Sequence, residues 1–155
     1  MRVLPITATD TEIKNLVVEW NELLSTENYE EALSMFPFSV EENEWSPELL
    51  EKCINGYGVI DGDKETLEFM LDEYEVTEFK ISSLIGRDDR DIISNDSIDV
   101  DRENLYGLDP DEYLGMVHFN DVPLSGYLSD LTARFHIKRI NDLQITLEFL
   151  DIHVM

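Results

Sequence analysis

Residues 131–155 read LTARFHIKRINDLQITLEFLDIHVM, and two alternating patterns inside them say most about the architecture. In the first, Leu131, Ala133, Phe135 and Ile137 are apolar, while Thr132, Arg134, His136 and Lys138 are polar. In the second, Leu143, Ile145, Leu147 and Phe149 alternate with Gln144, Thr146 and Glu148. A period of two with one apolar face marks half-buried strands. A two-residue turn at Asn141-Asp142 sets Lys138 against Ile145 and mixes the faces. A three-residue loop, Ile140 to Asp142, sets Ile137 opposite Ile145 and Phe135 opposite Leu147. That register predicts a cross-strand ion pair between Arg134 and Glu148.

The alternation breaks at Phe149-Leu150, where two apolar residues are adjacent and the apolar set moves to Leu150, Ile152 and Val154. One inserted residue does this, so a β-bulge is expected there, with sharper sheet curvature. Beyond it Asp151 is expected opposite Thr132, and His153 opposite Asp130. Asp151 and His153, two positions apart, have the form of half a catalytic dyad or part of a metal site. A charge-assisted Asp130–His153 pair across the strands is the simpler reading.

Working outward, strands are expected at Leu114–Val122, Tyr127–Lys138 and Leu143–Val154. A further strand carries Phe79, Ile81 and Ile85 up to Gly86. Between them lies an acidic connection, residues 87–112, with a short edge strand at Asp91–Ser94. The first half has helical periodicity instead. Ile13, Leu16, Val17, Trp20, Leu23 and Leu24 share one face, and Thr9 with Glu12 forms a capping box. Asn28 and Glu31 repeat that spacing before a second helix that Pro37 ends. Ser46-Pro47 opens a third, stopped at Gly56. Residues 64–74 form a fourth, with Leu67, Met70, Leu71 and Tyr74 inward. Helices over about 9–74 and antiparallel strands over about 76–155 predict one α+β domain, with the helices packed on a curved sheet.

Charge is the unusual quantity: 35 acids against 11 bases, a net of −24. The first 115 residues hold thirty acids and eight bases; the last forty hold five and three. Such a field repels nucleic acid and anionic membrane and attracts basic surfaces. No basic stripe exists to displace phosphate counterions. Asp88, Asp89, Asp91, Asp96, Asp99, Asp101 and Glu103 are the candidate docking acids for a cationic protein. The start of the chain lacks a signal-peptide core, and no stretch reaches membrane-spanning length, so a cytoplasmic protein is expected. The single cysteine, Cys53, lies in an apolar helical pattern and is expected to be buried.

Other candidate sites are weak. His118, His136 and His153 all lie on strands at positions off the core, but a metal set also needs matching heights along the sheet. DVDREN at Asp99–Asn104 resembles the start of a calcium loop, yet Asn104 and Pro110 stand where glycine and glutamate are required. DGD at Asp61–Asp63 is a turn in which Gly62 permits positive φ. No nucleophile elbow, CxxC, phosphate loop or HExxH is present, so no catalytic residue, metal or cofactor is assigned. An enzyme of this architecture would use one pocket carboxylate, with Asp130 and Asp151 as candidates.

The segments VPLSGYLSDLTARFHI and LQITLEFLDIHVM resemble the C-terminal signature of a family of small bacterial proteins, SDLTAxF followed by LxDIHVM. Ser129, Asp130, Leu131, Thr132, Ala133, Phe135, Asp151, Ile152, His153, Val154 and Met155 carry the match. The element order also resembles the NTF2-like (cystatin-like) cone, which implies a bent sheet around a helix, with homodimers formed through the sheet. The resemblance, taken with the charge, implies an immunity protein that neutralises a basic toxin domain. The alternative it implies is an NTF2-like small-molecule binder or proton-transfer enzyme.

Overall fold

The computed structural model describes residues 1–38, 44–58 and 63–154. Within them five helices pack against a strongly curled antiparallel half-barrel, a cone-like α+β fold. The turn expected at Asp61-Gly62 and the terminal Met155 lie outside the described residues.

Helix α1 (Asp10–Ser25) starts as its sequence dictates: Thr9 Oγ1 accepts from the Glu12 N–H, and the Glu12 carboxylate accepts from the Thr9 N–H. Its buried face is Ile13, Leu16, Val17, Val18, Trp20, Asn21 and Leu24. Helix α2 (Tyr29–Met35) ends before Pro37, but the second capping box does not form. Asn28 instead donates to Thr26 Oγ1 (2.8 Å). Helix α3 (Pro47–Asn55) is capped by Ser46 and followed by Gly56. The left-handed turn that closes it is made one step later, by Tyr57 (φ 53°) and Gly58 (φ 83°). A Cβ at Gly58 would lie 2.9 Å from His153 Cα, so only glycine lets this turn sit against the final strand. Helix α4 (Lys64–Glu73) half-buries Leu67, Met70 and Leu71, with Tyr74 beyond its end.

The main sheet has the order β1-β7-β6-β3-β2: β1 (Leu4–Pro5), β7 (Gln144–Val154), β6 (Leu131–Arg139), β3 (Tyr113–Phe119) and β2 (Ile98–Asp101). A small hairpin pairs β4 (Pro123–Leu124) with β5 (Tyr127–Leu128). Two expectations for residues 76–112 are corrected. Phe79–Ile85 forms no strand, and Ile81 makes only an isolated bridge to Leu124. Its backbone is held from two sides: the Ser82 N–H donates to the Pro123 carbonyl (2.9 Å) and the Ser125 N–H to the Lys80 carbonyl (2.7 Å), while on α1 Glu22 accepts from the Leu84 N–H (2.8 Å) and Asn21 donates to the Ser82 carbonyl (3.1 Å). The edge strand expected at Asp91–Ser94 is helix α5 (Arg90–Asp96), and the true edge strand follows at β2.

The β6–β7 register differs from expectation by two residues. Ile137 faces Leu147 and Phe135 faces Phe149. The cause is the turn. Ile140 N–H donates to the Gln144 carbonyl, and the Leu143 N–H donates to Asn141 Oδ1 (2.9 Å). This Asx turn holds Leu143 outside at 75 % exposure, where alternation alone placed it in the core. A slip of two keeps every other side chain on its face, so the apolar row agrees with the alternation while its cross-strand partners differ. The bulge sits where the sequence places it: Phe135 pairs Phe149 and Arg134 pairs Asp151, leaving Leu150 extra. A second irregularity at Leu114 bends β3, and there a Cβ on Gly115 would collide with the Asp101 carbonyl. Both curl the sheet around Trp20, whose ring meets Phe135 edge-on at 5.1 Å and Phe149 at 5.5 Å.

A bulge frees backbone groups, and here Pro37 and Trp45 take them. The Phe149 N–H donates to the Pro37 carbonyl (2.8 Å), and Trp45 Nε1 donates to the Leu150 carbonyl (2.8 Å). Further along, Cys53 Sγ donates to the Ile152 carbonyl (3.2 Å), and Thr146 Oγ1 donates to Arg2 O (2.7 Å). The long β7 edge is thereby closed over most of its length.

Candidate functional site

Two polar regions follow from this frame. The first is the sheet face turned away from the helices, which carries all three histidines. The two-residue slip exchanges the expected pairs there. Arg134 is opposite Asp151, not Glu148, and the two form a bidentate pair (Nε–Oδ1 2.9 Å, Nη2–Oδ2 2.5 Å). His153 is opposite Thr132, not Asp130, and its Nδ1 lies 3.1 Å from Asp151 Oδ1. The Asp130–His153 and Arg134–Glu148 pairs are therefore replaced by an Arg134–Asp151–His153 group. Asp130 is exposed, and its N–H donates to the Tyr57 hydroxyl (3.0 Å).

Glu148 gathers the remaining groups. Lys138 Nζ (3.1 Å), His136 Nδ1 (3.2 Å) and the Tyr113 hydroxyl (3.3 Å) surround its buried carboxylate. Burial and the Glu148 charge raise the Tyr113 hydroxyl pKa, so that phenol stays a donor. The three histidines do not converge. His118 shares a row with Arg134 and Asp151, His136 shares one with Glu148, and His153 one with Thr132. Among the described residues, no three His, Cys, Asp or Glu side chains come together as metal ligands. This face carries two matched groups, Arg134–Asp151–His153 and Lys138–His136–Glu148. Asp151, one of the two candidate pocket carboxylates, is committed to a guanidinium.

The second region is the free edge of β2. Of the seven docking candidates, Asp99, Asp101 and Glu103 line one shallow depression of about 520 Å³, together with Asp10, Val100 and Arg102. Asp101 serves the local fold. It accepts from the Glu103 and Asn104 N–H groups and from the Tyr106 hydroxyl, and these bonds lower its pKa, the Asn104 N–H most. Arg102 is held by Asp10 (2.8 Å) and the Ala8 carbonyl (2.8 Å). The side chains of Asp99 and Glu103 make no hydrogen bond or ion pair among the described residues.

The other four acids lie upstream. Asp89 is clamped by Arg87, whose hydrogen bonds lower its pKa. Asp88 is exposed in the preceding turn, and Asp91 and Asp96 are exposed on α5. Asp10 and Arg102 were not among the sequence candidates. Asp10 reads as an ordinary first-turn acid complementing the helix dipole, and nothing local ties it to position 102.

Comparison with known proteins adds no assignment: no family model, curated protein or solved structure matches this chain. Among the described residues, no helix is long and apolar enough to cross a membrane.

Proposed function

We propose that this chain is an acidic protein-binding module that docks a basic partner, as an immunity protein does a basic toxin domain. One observation carries the reading. Asp99 and Glu103 stand at the β2 edge, which is open among the described residues, while Asp151 and Glu148 further along the sheet are matched to Arg134 and Lys138. Carboxylates that the fold does not use are free to meet a partner's cations, and the net of −24 speeds that encounter. The C-terminal signature that resembles a bacterial family supports the same reading. An immunity role and a cytoplasmic setting are part of the proposal.

The test compares tagged wild-type protein with an Asp99→Lys/Glu103→Lys variant as bait in a lysate of the source cells. The expected result is a basic protein held at low salt, released at high salt and lost with the variant. A partner held equally by both baits would move the docking site elsewhere. Salt-insensitive capture would remove electrostatics from the explanation.

A further inference from the structure

The two edges of the main sheet are treated differently. Along β7, the Phe149 N–H and the Leu150 and Ile152 carbonyls are taken up by Pro37, Trp45 and Cys53, and Gln144 and Ile145 pair with β1. β2 pairs with β3 on one side, and no hydrogen bond reaches its backbone from the other side among the described residues. An unpaired strand edge is a template for another strand. The depression of the second region runs beside Asp99, Val100 and Asp101, so the template borders open space. Asp99 and Asp101 are opposite His118 and Met116, on the sheet face turned from the helices; Ile98 and Val100 are opposite Phe119 and Val117 of the core.

From this we infer that β2 is completed by an extended basic segment of a partner, which adds as a sixth strand of the sheet. The side-chain alternation states what that segment must be. Lysine or arginine at every second position would face Asp99 and Asp101 as cross-strand pairs, with Glu103 and Asp10 beside them. β-branched residues between them would continue the apolar row of Ile98 and Val100. A second copy of this chain is disfavoured as occupant, because acids would then meet acids across the new pair. The inference rests on the basic-partner reading and adds the mode of docking.

The probe is an acetylated, amidated peptide alternating lysine and valine, titrated into the whole protein at low salt. A second peptide has the same sequence with every backbone nitrogen methylated, which keeps the charge and removes the donors. The expected result is saturable binding of the first peptide, at least about tenfold weaker binding of the second, and slowed amide exchange confined to β2. Asp99→Lys should abolish binding while leaving the circular dichroism unchanged. Equal binding of the two peptides overturns strand addition and leaves charge-driven docking standing. No binding of either peptide overturns both at this edge. Should neutralising Asp99 and Glu103 make the protein self-associate while the wild type ignores the peptide, the acids are guards of the edge and the inference is wrong.

Discussion

One sheet carries two edges built on opposite principles. The β7 edge is closed by residues brought from far away in the chain: Trp45 donates across 105 positions and Cys53 across 99. Among the described residues the β2 edge is left open, and it is lined with carboxylates. Closing an edge ties stability to a few long-range donors. Leaving one open costs little, provided like charge keeps identical chains apart. The difference teaches where a substitution should act on the fold and where it should act on a partner.

The largest effect is expected at the closed edge. Trp45→Ala removes a ring packed on Phe149 (4.9 Å between centroids) and the donor to Leu150, a loss of roughly 3–5 kcal/mol in denaturant unfolding. Trp45→Phe keeps a ring, strands the carbonyl and should cost about 1–3 kcal/mol. If both variants unfolded at the wild-type midpoint, the β7 edge would not be the keystone of the sheet. Next comes Asp151→Asn, which leaves Arg134 facing a neutral amide; about 3 kcal/mol is expected by the same assay.

A smaller effect is a matter of pH. Burial, then the neighbouring Arg134 charge, depress the His118 pKa against the pull of Asp99, Asp101 and Asp151. The unfolded chain therefore takes up this proton first as pH falls below about 6.5, and the folded state loses stability until its own lower pKa is passed. Unfolding curves of wild type and His118→Gln between about pH 7 and pH 5 should diverge, with the wild type losing more. Parallel curves would show that the imidazole is indifferent to its row. The smallest effect belongs to the open edge. Asp99→Asn should move stability by no more than about 0.5 kcal/mol while weakening a basic partner. A larger loss would mean that Asp99 serves the fold after all.

Much of this is legible in the sequence because it is written locally. The Thr9 capping box, the amphipathic face of α1 and the doubled apolar pair at Phe149-Leu150 each need only a few neighbouring residues to read. The departures share a different cause. Leu143 is apolar and in phase, and only the Asn141 side chain, bonding two residues ahead, keeps it outside; that one turn moves Arg134 from Glu148 to Asp151. Residues 79–85 alternate like a strand, but their pairing with residues 123–125 stops at an isolated bridge, and Glu22 and Asn21 of α1 take the backbone groups of Leu84 and Ser82. At the candidate site, Asp99, Asp101 and Glu103 are visible in the sequence as acids. Their grouping with Asp10 and Arg102 is not, because residues 92 positions apart meet only through the fold.

Cys53 turns the closed edge into something that can be timed. It is the sole cysteine, it is buried against β7, and burial, followed by the Asp151 charge, pushes its thiol up to about 11. At neutral pH almost none of it is thiolate, and no reagent reaches it while α3 lies on the strand. Labelling then requires an opening that exposes Cys53. A modification rate that exceeds the rate of global unfolding would show the α3–β7 seam opening by itself, and an equal rate would show the seam opening only with the whole fold.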